Sequence, residues 1–169
     1  MELILGLDMA THVSGVAIID MTGKLIDHFN ICDEGGEIYD RCVSIYNQLD
    51  EYIKKYPNIK YVGLEDTLLN KFVPNLNSCR DLITLKGWIQ SLLYKYKLTP
   101  DMWTPNEWKG LVDIFSGPEG RTRAAQKERA IKLVKAKYGI DVDDNQADAI
   151  CIAIAEYILN TDDHKILEV

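Results

Sequence analysis

The chain has 169 residues, 47% of them hydrophobic and 27% charged, which is enough for one well-buried domain, too little for two, and neither a disordered nor a membrane composition. No apolar run approaches the ~20 residues needed to span a bilayer. The net charge of −7 argues against phosphate binding as a property of the whole surface.

The N-terminus lacks a basic stretch and meets an acid at Asp8, so it does not read as a secretory signal. Cys32, Cys42, Cys79 and Cys151 are scattered, with no CxxC pair, as expected of reduced thiols in a cytoplasmic protein.

Residues 2–8 form a near-continuous apolar run ending in Asp8, the pattern of a buried central strand. Residues 14–20 predict a second strand, 21–24 (Met-Thr-Gly-Lys) a hairpin turn and 25–31 a third strand, together an antiparallel meander. Over 37–56, Ile38, Cys42, Ile45, Leu49, Tyr52 and Ile53 recur at helical spacing, and Pro57-Asn58 ends the helix. Residues 60–66 predict a strand that finishes at Glu65. A helix from Ser78 to about Lys95 follows, with Ser78 and Asp81 spaced as a capping box.

Residues 101–103 predict a short fifth strand. Thr104-Pro105-Asn106-Glu107 then supplies a cap, a proline at the first helical position and a glutamate at the third. Residues 117–120 (Gly-Pro-Glu-Gly) predict a loop before a basic helix that Gly139 ends. Asp143-Asp144 caps a last helix running to about Leu159. The expectation is one mixed α/β domain over residues 1–169, with a five-stranded sheet flanked by helices.

The charge is unevenly spread. Arg121, Arg123, Lys127, Arg129, Lys132, Lys135 and Lys137 face a single acid, Glu128, so this segment carries +6 and the remainder −13. An acidic protein with one such helix can still bind nucleic acid locally, although a charge run can equally be a solvated helix face.

Three acids sit where structure alone would not place them. Asp8 closes a strand with core-like Ile4, Leu5 and Leu7, and Glu65 follows Val62 and Leu64 in the same way. Asp148 opens an apolar stretch, Ala149-Ile150-Cys151-Ile152-Ala153, that predicts a buried helix. An ionised carboxylate taken out of water costs several kcal/mol unless it is paired or bound to metal. Basic residues are scarce beside all three in the sequence. Two strand ends and a helix offering carboxylates suit an oxygen-ligand site for Mg²⁺ or Mn²⁺. Read singly, each acid could cap a helix or pair with a distant lysine.

Ile4-Leu5-Gly6-Leu7-Asp8, followed by Ser14-Gly15-Val16-Ala17-Ile18, resembles the opening of the RuvC family of Holliday-junction resolvases. Gly63-Leu64-Glu65-Asp66 resembles that family's second acidic motif, and Ala147-Asp148-Ala149 its C-terminal motif. The resemblance extends in order over nearly the whole chain. It implies an RNase H-like fold, a homodimer and a Mg²⁺-dependent endonuclease, with Mn²⁺ as substitute. The implied substrate is branched DNA, four-way junctions above all, nicked to leave 5′-phosphate and 3′-hydroxyl ends. Asp8, Glu65 and Asp148 would be metal ligands. The compact motifs are more similar to those of phage-borne members than of bacterial ones.

There are departures. Met9-Ala10 stands where bacterial members have Pro-Gly, and Ser14 replaces a threonine. The family's fourth ligand, three residues before the last acid, falls on Asn145, whereas Asp144 lies one helical turn from Asp148. Both remain candidates, with N-terminal capping as the alternative for each. Lys127 and Lys109 match basic residues near the family's active site and would stabilise charge on a phosphate. Arg121, Arg123 and Arg129 join them as candidate DNA contacts. Leu68, with Leu69 and Phe72 nearby, falls where some relatives carry a junction-wedging aromatic.

Three other readings compete. An ATP-binding protein of the actin and sugar-kinase type shares the opening hairpin but needs a second domain. A ribosomal-RNA processing nuclease of the YqgF type is similar in fold and shorter. A non-catalytic branched-DNA-binding module is the third. His12, His28 and His164 are too dispersed for a metal set, and Trp88, Trp103 and Trp108 read as core or interface.

Overall fold

The computed structural model describes residues 1–33, 35–66, 76–115 and 122–168. Leu68, Leu69, Phe72, the loop at 117–120 and Arg121 lie outside the described residues.

The first three strands are β1 (Leu3–Asp8), β2 (Val13–Asp20) and β3 (Leu25–Cys32). They pair antiparallel, with Asp8 opposite Gly15 and Val16 opposite Phe29. Gly23 supplies the left-handed φ of 77° that the β2–β3 turn requires. Helix α1 (Ile38–Lys55) then crosses to β4 (Ile59–Glu65), which pairs parallel to β1. Helix α2 (Leu76–Lys95) leads to β5 (Asp101–Trp103), parallel to β4. The sheet order is β3-β2-β1-β4-β5, the expected five-stranded mixed sheet. Helices α3 (Pro105–Leu111), α4 (Arg123–Tyr138) and α5 (Asp144–Thr161) and a 3₁₀ turn (His164–Leu167) complete the fold.

Most element boundaries fall within two residues of those expected. Thr104 and Glu107 form the capping box of α3 in full, and Gly139 ends α4 in the left-handed conformation. The proposed capping box at Ser78 and Asp81 is a correction. Helix α2 begins at Leu76, so Ser78 lies inside its first turn, and Asp81 instead faces Arg41 of α1 at 3.8 Å. A tertiary ion pair takes the acid that the local pattern had assigned to the backbone.

Alternation along the strands splits the interior into two cores. Leu3, Leu5, Leu7, Val16, Ile18, Val62 and Leu64 pack under α1 and α2. Ile4, Ala17 and Ile19 pack with α5, Trp108 of α3 and Val134 of α4. By the same period of two, Asp8 follows Ile4 and Gly6 onto the α5 face of the sheet.

Glycines let α5 lie directly on that face. A Cβ on Gly6 would meet the Ala149 carbonyl oxygen at 2.2 Å, and one on Gly63 would meet Ile152 and Trp103. Two contacts from β3 fix the start of the helix: Asn30 donates to the Asp143 carboxylate, and the His28 ring lies 3.1 Å from the Gln146 amide oxygen.

Candidate active site

Asp8 ends β1 and Glu65 ends β4, two adjacent parallel strands that finish at the same edge of the sheet. Asp148 lies in the second turn of α5, which crosses that edge. All three line one cleft of about 610 Å³, together with Asp66, Lys109, Arg123, Gln126, Lys127 and Asn145. Residues from two strands and three helices are thus brought to one place.

The electrostatics show what this juxtaposition costs. Burial drives the Asp8 carboxyl well above its ordinary range, and the charges of Glu65 and Asp148 push it further in the same direction. Asp148 is pushed up to about 6, mainly by burial, with Glu65 and Asp144 adding to the effect. Glu65 is raised by burial even though Trp108 and the charges of Lys109 and Arg123 draw it down. The cleft's cations therefore only partly offset the burial of its acids, and the remaining deficit of positive charge is one that a cation relieves.

The donor set fits a hard divalent ion, since it is all oxygen and its carboxylates are otherwise raised by burial. Asp8, Glu65 and Asp148 are the residues that would hold one. They share an open cleft rather than a preformed cage. Among the described residues, no group of three or more His, Cys, Asp or Glu side chains is gathered tightly enough to enclose an ion.

Asp144 and Asn145 are sorted by their surroundings. The Asp144 carboxylate is ion-paired with Lys127 of α4 and held below its ordinary range by that contact. Asn145 lines the cleft itself. Capping, the alternative for both, is done by Asp143, whose side chain accepts from the Gln146 N–H.

The basic residues divide in the same way. Lys109, Arg123 and Lys127 line the cleft, and Lys109 Nζ donates to Gln126 at 3.3 Å. Arg129 is turned away, donating to the Ile114 carbonyl at 3.0 Å and lining a separate recess with Val112 and Leu133. Further along α4, Lys132 pairs with Glu128, and Lys135 with Asp141.

Sequence reasoning missed two residues. Trp108 is wholly buried, as its reading as core expected, yet its indole Nε1–H donates to Glu65 Oε2 at 2.8 Å. Lys86 of α2 reaches the cleft-lining Asp66 and pairs with it. Neither partner lies near in sequence, so no local signal marked them. His12 does not join the acids; its ring lies 3.0 Å from the Arg41 guanidinium.

No family model matches the chain, and no curated protein matches it by sequence. Solved structures do match. The class they define is an α/β fold of the RNase H-like type, with a mixed five-stranded sheet. Within that class the fold is that of the RuvC resolvases. Thermus thermophilus RuvC in complex with a Holliday junction superposes with a TM-score of 0.76 at 13% identity, covering 95% of this chain and 96% of that one. The yeast mitochondrial Holliday junction resolvase gives 0.59 at 14% identity, over 91% and 77%. The fowlpox virus resolvase with its junction DNA gives 0.55 at 15% identity, over 95% and 97%. At these identities the likeness is one of fold.

Proposed function

We propose that this chain is a divalent-metal-dependent endonuclease of one domain that nicks branched DNA, four-way junctions above all. The observation that carries the reading is the cleft in which Asp8, Glu65 and Asp148 meet under insufficient positive charge. The shared fold adds weight, since RuvC and the fowlpox enzyme are known with junction DNA bound.

Asp8, Glu65 and Asp148, with Asn145 beside them, would hold Mg²⁺ or Mn²⁺. Such an ion supplies an activated water and stabilises charge on the leaving oxygen. The chain's own groups do the rest. Lys109 and Lys127 face the cleft from α3 and α4 and can draw a phosphate toward an otherwise repulsive set of acids. Arg123, exposed at the first turn of α4, extends that positive wall outward. Asp144 keeps the Lys127 ammonium at the mouth of the cleft, so its role in this reading is to place a lysine rather than to bind the ion.

A homodimer belongs to the same proposal. Tyr39 and Val43 on α1 and Ile83 and Tyr94 on α2 are exposed apolar side chains. The same two helices carry a recess lined by Tyr46, Gly87, Trp88 and Ser91, a surface that a second copy would cover. None of the described helices is long and apolar enough to cross a membrane.

The test is to incubate the protein with junction, fork and duplex DNA, with Mg²⁺ or with a chelator, and to map the nicks. Mg²⁺-dependent nicks with 5′-phosphate ends near the branch point are expected. Equal cutting of plain duplex, or cutting in the chelator, would overturn the proposal.

A further inference from the structure

A buried indole N–H has to find an acceptor, and most side-chain hydrogen bonds go to backbone or water rather than to another side chain. Trp108 has instead taken one of the acids that line the cleft. Its ring is wholly enclosed in the core beneath α5, and Nε1–H donates to Glu65 Oε2 at 2.8 Å. The opposite consequence of the same placement is visible one residue on, where the Lys109 ammonium lies 5.0 Å from the centre of the Trp108 ring. Trp108 thus touches both an acid and a lysine of the cleft while remaining out of solvent itself.

A glutamate at a strand end has three rotatable bonds, and a carboxylate repelled by two neighbouring acids has every reason to swing away. A hydrogen bond from a rigid, fully packed ring fixes one carboxylate oxygen and leaves the other free to act. Groups that hold metal ligands in this way typically change metal affinity 10–100-fold when removed. The other indole of this region makes a useful contrast. Trp103 Nε1–H donates at 3.0 Å to Glu156, which is outside the cleft.

We propose that Trp108 is a positioning residue of the acidic cleft, holding the Glu65 carboxylate through its indole N–H so that a divalent cation meets a preset oxygen. The inference rests on reading the cleft as a cation-dependent site, and its test separates the two. Mn²⁺ alone is titrated by calorimetry into the full wild-type chain and into Trp108→Phe, which keeps a packed ring but has no N–H. Trp103→Phe is the control for an equivalent change elsewhere.

A loss of about 10-fold or more in Mn²⁺ affinity for Trp108→Phe, with Trp103→Phe close to wild type, is the expected result. If wild type binds Mn²⁺ and Trp108→Phe binds it equally well, the positioning role is wrong. If wild type binds no Mn²⁺, the cation-site reading fails first, and the positioning role with it. Should Trp108→Phe not fold, the wild-type indole N–H resonances answer alone. The Trp108 signal should move when Mg²⁺ is added, and a signal that stays fixed while the ion binds would overturn the proposal.

Discussion

Gly15 of β2 lies so close under Asn145 of α5 that a Cβ on the glycine would stand 1.9 Å from the Asn145 carbonyl oxygen. This contact sets the height of α5 above the sheet. Asp8 is the strand partner of Gly15, and Asp148 lies one turn beyond Asn145. The approach of one backbone to another therefore determines how near the third acid comes to the first.

Gly15→Ala should force α5 away from β2, because the obstacle is backbone and cannot rotate aside. Overpacking of this kind costs about 1–3 kcal/mol. Chemical denaturation is expected to show a loss in that range, and divalent-ion affinity should fall as Asp148 moves away from Asp8. A variant of full stability and full affinity would mean that the helix is seated by something else.

Asp8→Asn should abolish nicking while stabilising the metal-free fold. Burial, Glu65 and Asp148 all raise the Asp8 carboxyl, so its ionised form opposes folding at neutral pH. Such a group leaves stability intact below its ordinary range and removes it as pH rises through the raised value. In chelator near pH 7.5 the variant should melt above wild type, and the difference should close in acid. Cleavage should drop by at least about 100-fold, as when a principal charge-stabilising group is lost.

Glu156→Gln tests the same physics away from the cleft. Glu156 is wholly buried on α5, accepts from Trp103 and Asn160, and is raised from 4.5 to about 7, chiefly by burial. Wild-type stability should therefore decline between roughly pH 4.5 and 7 as this carboxyl ionises. The amide should flatten that decline and raise the melting temperature at pH 8 by about 2–4 °C for each kcal/mol recovered. Identical pH profiles for the two proteins would refute the assignment.

Arg123 and Lys127 should carry the salt dependence of DNA binding, and Arg129 should not. Each phosphate contact contributes about 0.7–0.9 to the slope of log affinity against log salt. Replacing Arg123 and Lys127 together by Ala is expected to lower the slope by nearly two. Arg129→Ala removes a bond to the Ile114 carbonyl and should lower stability while leaving the slope alone.

Much of the fold was legible because its signals are local. Apolar runs placed Asp8 and Glu65 at the ends of buried strands, and the Thr104, Asp143 and Gly139 caps marked helix ends from a few neighbouring residues. The acids stood out because an apolar context makes a carboxylate conspicuous. Where local pattern and tertiary contact competed, contact prevailed, as at Asp81, which pairs with Arg41 instead of capping α2.

The sequence by itself determined the order of elements and singled out Asp8, Glu65 and Asp148 as acids in apolar surroundings, since each depends on residues a few positions apart. Only the tertiary structure decided that Lys127 takes Asp144, that Asn145 faces the cleft, that Arg129 turns away and that Trp108 holds Glu65. Those pairings join residues 15–43 positions apart on elements that meet only once α3, α4 and α5 have packed on the sheet. A hydrogen bond or ion pair acts over a few ångströms of space, and spacing along the chain carries no information about it until the chain has folded.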